Sequence, residues 1–324
     1  MVARVARPFC EQSYGSHAKR VGMKLGLTIT LLAGLVACKS DGGGPHVAGS
    51  TSRAESAAAA HDVLPRPLFW KVEKDGKTTF VLGTMHVGVD PAKQLPPVVW
   101  KTLDDARAFA METDLDKAAS LDVMRHDGST LHGDLGDAYW AKLEGALGKD
   151  QAARVDRMKV MIPATLLSMR GLPDTPAMDG ALLARAQEEH KPIVFLEPIE
   201  AEEAVLDKWL DAKMLEAMLD DLPGEEQHAR DMLAAYIAGD EAKIEALSDA
   251  ERADWKRAGK SDADYDAQMN DLLFSRNASW VPELEELHAA GGGFVAVGAM
   301  HLIGDRSVLA LLRQRGYTVT RLTP

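Results

Sequence analysis

The chain states one pattern twice, 215 residues apart: a short apolar run of strand-forming residues closed by Gly-x-Met-His. The first copy is Phe80-Val81-Leu82-Gly83-Thr84-Met85-His86-Val87 and the second Val295-Ala296-Val297-Gly298-Ala299-Met300-His301-Leu302. Runs of this length and composition predict buried strands, each turning at its glycine. Each histidine then falls just past a strand end, where α/β scaffolds gather their functional groups. Two such contexts, one near each end of a domain, predict a single site closed by both. Neutral imidazole suits Zn, Mn, Fe or Co as a ligand and equally suits general-base work near neutral pH. Both roles stay open for His86 and His301.

The rest of the pattern alternates strand and helix. Strands are expected at 68–72 and 78–82, joined through Asp75-Gly76, a strong hairpin signal. A helix over 97–105 leads to a strand over 108–113. Helices broken by Gly and Pro follow to about residue 190, the last of them amphipathic over 180–189. After a strand at 192–196, residues 199–290 read as almost wholly helical, and a βαβ unit closes the chain (294–297, 305–315, 317–322). The hydrophobic fraction of 46% supports a large core. The expected fold is α/β: a central mixed β-sheet flanked by helices, with a large helical insertion, in a single domain over 63–324.

Residues 1–60 hold seven Lys/Arg against three Asp/Glu, a balance of +4, so the remaining chain carries −16 of the total −12. An acidic body of that size repels phosphate backbones, and no nucleic-acid partner is expected. At the front, Lys19, Arg20 and Lys24 precede an apolar stretch over 25–37, too short to span a bilayer, which reads as the core of a signal peptide over 1–37. Met23 is the natural start of such a segment. Leu35-Val36-Ala37-Cys38 resembles a bacterial lipobox, which implies cleavage before Cys38 and its lipidation. Lys39 follows in place of an inner-membrane retention Asp, so an outer-membrane anchor facing the periplasm of a bacterial envelope is expected. Residues 38–62, rich in Gly, Ser and Ala, read as a lipidated flexible linker. With Cys10 and Cys38 both in this region, the domain has no thiol or disulfide.

Other candidate groups are carboxylates and one arginine. Glu112 and Glu197 each close an apolar strand, so both should emerge beside the histidines and could complete an N/O donor set for a divalent cation. Glu112 alone reads equally well as a buried partner of an arginine. Arg276-Asn277 reads as a solvated helix end or, near the cluster, as a group that steadies an oxyanion or orients a carboxylate. Asp179 is most simply the N-cap of the helix it precedes. The Gly triplets at 42–44 and 291–293 lack the Lys-Ser/Thr of a phosphate loop. His126, His132, His190, His228 and His288 read as surface residues, and the acidic stretch 199–226 as a solvated face. The absence of Gly-x-Ser-x-Gly weakens a serine-hydrolase reading.

Over roughly residues 66–322 the chain resembles the TraB/PrgY/GumN family, which includes the Tiki proteins. The resemblance is carried by Phe69-Trp70-Lys71-Val72, the two Gly-x-Met-His motifs, Glu112, Asp179, Leu196-Glu197, Arg276-Asn277 and Trp280. It implies a fold like that of erythromycin esterases and haem-binding ChaN proteins. For the Tiki branch it implies metal-dependent peptide cleavage by residues matching His86, Glu112 and His301. The expected protein is therefore a lipid-anchored metal-dependent hydrolase, peptidase-like, acting on a peptide or small molecule. Its cofactor would be Mn, Co or Zn. A metal-independent esterase-like hydrolase and a non-catalytic haem- or peptide-binding lipoprotein are the alternatives.

Overall fold

The computed structural model describes residues 63–257 and 260–323. The expected signal peptide, the start at Met23, the lipidation site Cys38 and the linker over 38–62 lie outside the described residues. Six strands form one mixed sheet in the order β4-β3-β5-β2-β1-β6. In chain order they are β1 (Phe69–Lys74), β2 (Lys77–Thr84), β3 (Phe109–Met111), β4 (Ile193–Phe195), β5 (Phe294–Gly298) and β6 (Thr318–Arg321). Asp75 and Gly76 join β1 to β2 with φ of 52° and 72°, the left-handed pair that a two-residue hairpin loop requires. Strands β4, β3, β5 and β2 run parallel, while β1 is antiparallel to β2 and β6.

The helices are α1 (Pro91–Gln94), α2 (Pro97–Asp105), α3 (Leu131–Leu147), α4 (Lys149–Val155), α5 (Met161–Ser168), α6 (Met178–Glu188), α7 (Ile199–Trp209), α8 (Ala212–Asp220), α9 (Leu222–Ala238), α10 (Glu241–Arg257), α11 (Asp262–Met269), α12 (Ser275–Ala289) and α13 (Val308–Gln314). The expected α/β class, mixed sheet and single domain are what the structure has. The closing βαβ unit is wider than adjacency would make it: β2 and β1 lie between β5 and β6, so α13 carries the chain to the far edge. No helix among the described residues is long and apolar enough to cross a membrane.

Two apolar cores form. One packs the sheet against α2, α6, α9, α12 and α13 around Phe69, Phe109, Trp280 and Phe294. The other lies within the helical insertion, around Leu143, Leu215, Trp255 and Leu272, and Met300 packs against both.

Three expectations of exposure are corrected here. The stretch 199–226 is not wholly a solvated face, because Glu202 and Glu225 are buried. Each sits on its helix's apolar stripe: Glu202 is three residues past Ile199 and four before Leu206, the spacing of one helical face. His228 and His288 are buried rather than on the surface. His288 follows Leu284 by four residues on the inner face of α12, where Nδ1 accepts from Thr79 Oγ1 at 2.8 Å and Nε2 donates to the Lys74 carbonyl at 3.0 Å.

Candidate active site at the carboxyl ends of the parallel strands

Register decides what meets at this end of the sheet. Gly83 lies opposite Val297 and Thr84 opposite Gly298, so β2 and β5 finish together and release His86 and His301 side by side. Met111 pairs with Ala296 on one side and Phe195 on the other, so Glu112 and Glu197 emerge in the same place. The Glu197 N–H donates to the Glu112 carbonyl at 3.0 Å, extending the ladder past the strands. The carboxyl edge of parallel strands is where α/β sheets bind their ligands.

Glycine is favoured in both motifs by close approach rather than by φ. A Cβ on Gly83 would come within 3.1 Å of Leu68 Cβ and 3.2 Å of Ala299 Cα, because the two motifs pack directly on each other. A Cβ on Gly298 would lie 3.2 Å from Glu112 Oε1, 3.5 Å from His86 Nε2 and 3.6 Å from His301 Cδ2. One methyl group would thus touch all three candidate residues, which bounds the site to a few ångströms.

Each imidazole is held by its Nδ1. His86 Nδ1 donates to Asp179 Oδ2 at 2.6 Å, and Thr84 Oγ1 donates to Asp179 Oδ1 at 2.7 Å. Asp179 is therefore not the N-cap of α6; Ala177 holds that position and Asp179 turns inward from the first turn. His301 Nδ1 donates to Asn277 Oδ1 at 2.6 Å, and Asn277 Nδ2 donates to the Arg306 carbonyl at 3.0 Å, which fixes the amide's orientation. That leaves the lone pair of His301 on Nε2. This atom is buried, lacks a hydrogen-bond partner and lies 3.8 Å from Glu112 Oε2.

The two histidines titrate in opposite directions. Burial works to lower His86, but the Asp179 carboxylate overrides it and raises the group to about 9. Asp179 falls below its usual range: burial opposes this, and the imidazolium of His86 wins. His301 has no carboxylate on its ring N–H. Burial, then the positive Arg276 and His86, hold it well below its ordinary value and neutral.

Arg276 and Asn277 were expected just after a helix end; instead the helix continues. A π-helical turn, Asn270–Phe274, runs from α11 into α12, and the Leu272 carbonyl within it accepts from Arg276 Nη1 at 2.9 Å. Arg276 Nη2 donates to Glu112 Oε2 at 3.0 Å and Nε to Glu197 Oε1 at 2.8 Å. Gly298 N–H donates to the other Glu112 oxygen at 2.6 Å, and Trp280 Nε1 to Glu197 Oε2 at 3.2 Å. With its donors committed, the guanidinium orients Glu112 rather than facing the cavity.

Glu202 completes this cluster and was missed in the sequence; its place on an apolar stripe was the available signal. Burial first, then Glu112 and Glu197 against the counter-effect of Arg276, raise it to about 8. Glu112, Glu197 and Glu202 bring one oxygen each within 4.8 Å of one another, and the cation of that cluster is the Arg276 guanidinium itself. Glu112 is likewise raised by burial, against Arg276, His86 and the Gly298 N–H.

A cavity of about 50 Å³ opens over the two imidazoles. Thr84, Gly298 and Ala299 share its floor with them, and α9, α10, α11 and the π turn supply apolar walls. Of the residues expected at the site, His86, Glu112, Asp179, Glu197, Arg276, Asn277 and His301 all converge here. A model of the TraB/PrgY/gumN family matches residues 68–321. No curated protein and no solved structure matches the chain.

Proposed function

The chain belongs to the TraB/PrgY/gumN family, and from that premise we propose that it is a metal-dependent hydrolase, peptidase-like, held to the outer membrane of a bacterial envelope by a lipid on Cys38 and facing the periplasm. The observation that carries the catalytic part is the unpartnered, buried Nε2 of His301, beside Glu112 and His86. The donor set fits a divalent ion of the Zn, Mn or Co type: two imidazole nitrogens and a carboxylate, each imidazole fixed through its second nitrogen, as ligating histidines usually are.

His86 Nε2, His301 Nε2 and the Glu112 carboxylate would hold the ion. When bound, such an ion supplies Lewis acidity, which makes water a nucleophile near neutral pH. Glu112 would accept a proton from the attacking water, and its burial-raised affinity for protons suits that role. Arg276 is a positioning residue that aims Glu112. The buried site around these groups shields them from bulk solvent, where their charges would be screened. The small cavity over the imidazoles, about 50 Å³, supports a small group at the centre. The lone pair of His301 would also serve a metal-independent esterase-like reaction, and chelation separates the two. Metal analysis of the purified chain, with peptide hydrolysis followed before and after exhaustive chelation, tests the proposal. Activity that survives metal removal contradicts it.

Two further results are expected. His86 Nε2 carries a proton below about pH 9, whereas His301 offers its lone pair throughout. A cation must displace that proton, so apparent affinity should rise by up to about tenfold per pH unit from about 7 and level off above about 9. Calorimetric titrations at several pH values check this, and a flat profile contradicts it. Gly298→Ala should weaken the cation by roughly 10- to 100-fold, comparable to the loss of an outer-shell partner. Its φ of −51° lets alanine enter without backbone strain, so any fall in melting temperature would report only the push on Glu112 and should stay well below that of Arg276→Met. Unchanged affinity in this variant would move the site away from Gly298.

A further inference from the structure

We infer that the substrate inserts a short, uncharged aliphatic group into the cavity above the two imidazoles. This rests on the hydrolase reading and names the substrate class that reading leaves open. The walls are Met232 of α9, Ile244 of α10, Met269 of α11, Leu272 of the π turn and Met300. The two hydroxyls at the cavity are already spent: Thr84 donates to Asp179 and Tyr236 to the Gly83 carbonyl at 2.8 Å. Neither hydroxyl has a proton left to give, and the imidazole nitrogens face the reacting group. A charged or amide side chain entering among these apolar walls would lose its water for few partners in return. Each methylene of an aliphatic group, by contrast, should strengthen binding about fourfold.

Size sets the second limit. An apolar cavity of about 150 Å³ is what benzene occupies in an engineered protein core. This cavity, at about 50 Å³, is about a third of that, so an aromatic ring would have to displace more of its walls than a small aliphatic group. The methionine walls can yield somewhat, because the side chain is unbranched and flexible.

The test is a titration of the full chain carrying ¹³C-methyl methionine, with chelator present, against the N-acetyl amides of alanine, valine, leucine, phenylalanine and lysine. The Met232 and Met269 methyl signals should shift with valine and leucine amides, and affinity should climb from alanine to leucine. Phenylalanine and lysine amides should bind at least about tenfold more weakly than leucine amide. Met269→Ala should then narrow the gap between phenylalanine and leucine by about tenfold. Equal binding of the lysine or phenylalanine amide, or no methyl response to leucine amide, overturns the inference. Because this readout needs neither metal nor turnover, the two ideas fail separately. Methyl shifts in this titration, with no peptide hydrolysis by the metal-loaded chain in a separate assay, would sink the hydrolase and spare the pocket; hydrolysis by the metal-loaded chain with no methyl response here would do the reverse.

Discussion

Replacing His301 with alanine is expected to empty the protein of its divalent cation and lower hydrolysis by more than about a hundredfold, the loss that even an outer partner of a ligand can cause. His301 gives a cleaner result than His86. It is neutral, so its removal leaves one Asn277 carbonyl without a donor, a cost of about 1–3 kcal/mol. His86 is the counter-charge of buried Asp179. His86→Ala strands that carboxylate, at about 3–5 kcal/mol, so lost activity there could simply report lost folding. Metal content and melting temperature measured together on both variants separate the cases. A His301→Ala protein that keeps a full equivalent of metal would remove His301 from the donor set.

A large effect on stability is also expected at Arg276. Arg276→Met preserves much of the side-chain volume but leaves Glu112, Glu197 and Glu202 facing one another with no cation. Removing one partner of a buried ion pair costs about 3–5 kcal/mol, which should lower the melting temperature by roughly 10 °C in a domain of this size. The loss should be pH-dependent. Carboxyls that lose their guanidinium bind protons more tightly, so acidification restores neutrality and part of the stability, while alkaline pH deepens the deficit. Arg276→Lys should recover only a fraction, since an ammonium cannot reach Glu112, Glu197 and the Leu272 carbonyl with the fixed fork of a guanidinium. Thermal melts at pH 5 and pH 8 check this. An Arg276→Met protein as stable as wild type at pH 8 would mean the carboxylates are not charged as the geometry implies.

What could be read from residues alone is what depends on local periodicity. The apolar runs before Gly83 and Gly298, the Asp75-Gly76 turn, and the strands ahead of Glu112 and Glu197 are set by side-chain alternation and turn chemistry within a few residues. Their conjunction fixed the sheet's presence and the convergence of two histidines and two glutamates, because parallel strands share one carboxyl end. Asp179 and Arg276-Asn277 were visible as candidates, yet their local setting favoured a helix cap and a solvated helix end.

Only the tertiary structure decided the rest. Asp179 became the partner of His86 because α6 brings its first turn against β2, not because of anything in its own helix. Glu202 was hidden by the acidity of its neighbours, and it is buried because α7 packs that one face against the π turn and the site. The opposite protonation of two histidines in matching motifs is likewise a matter of what stands 2.6 Å from each ring: a carboxylate beside one, an amide oxygen beside the other. Sequence spacing specifies where a side chain leaves the backbone; the charge it carries follows from long-range packing that sets its partners and its access to water.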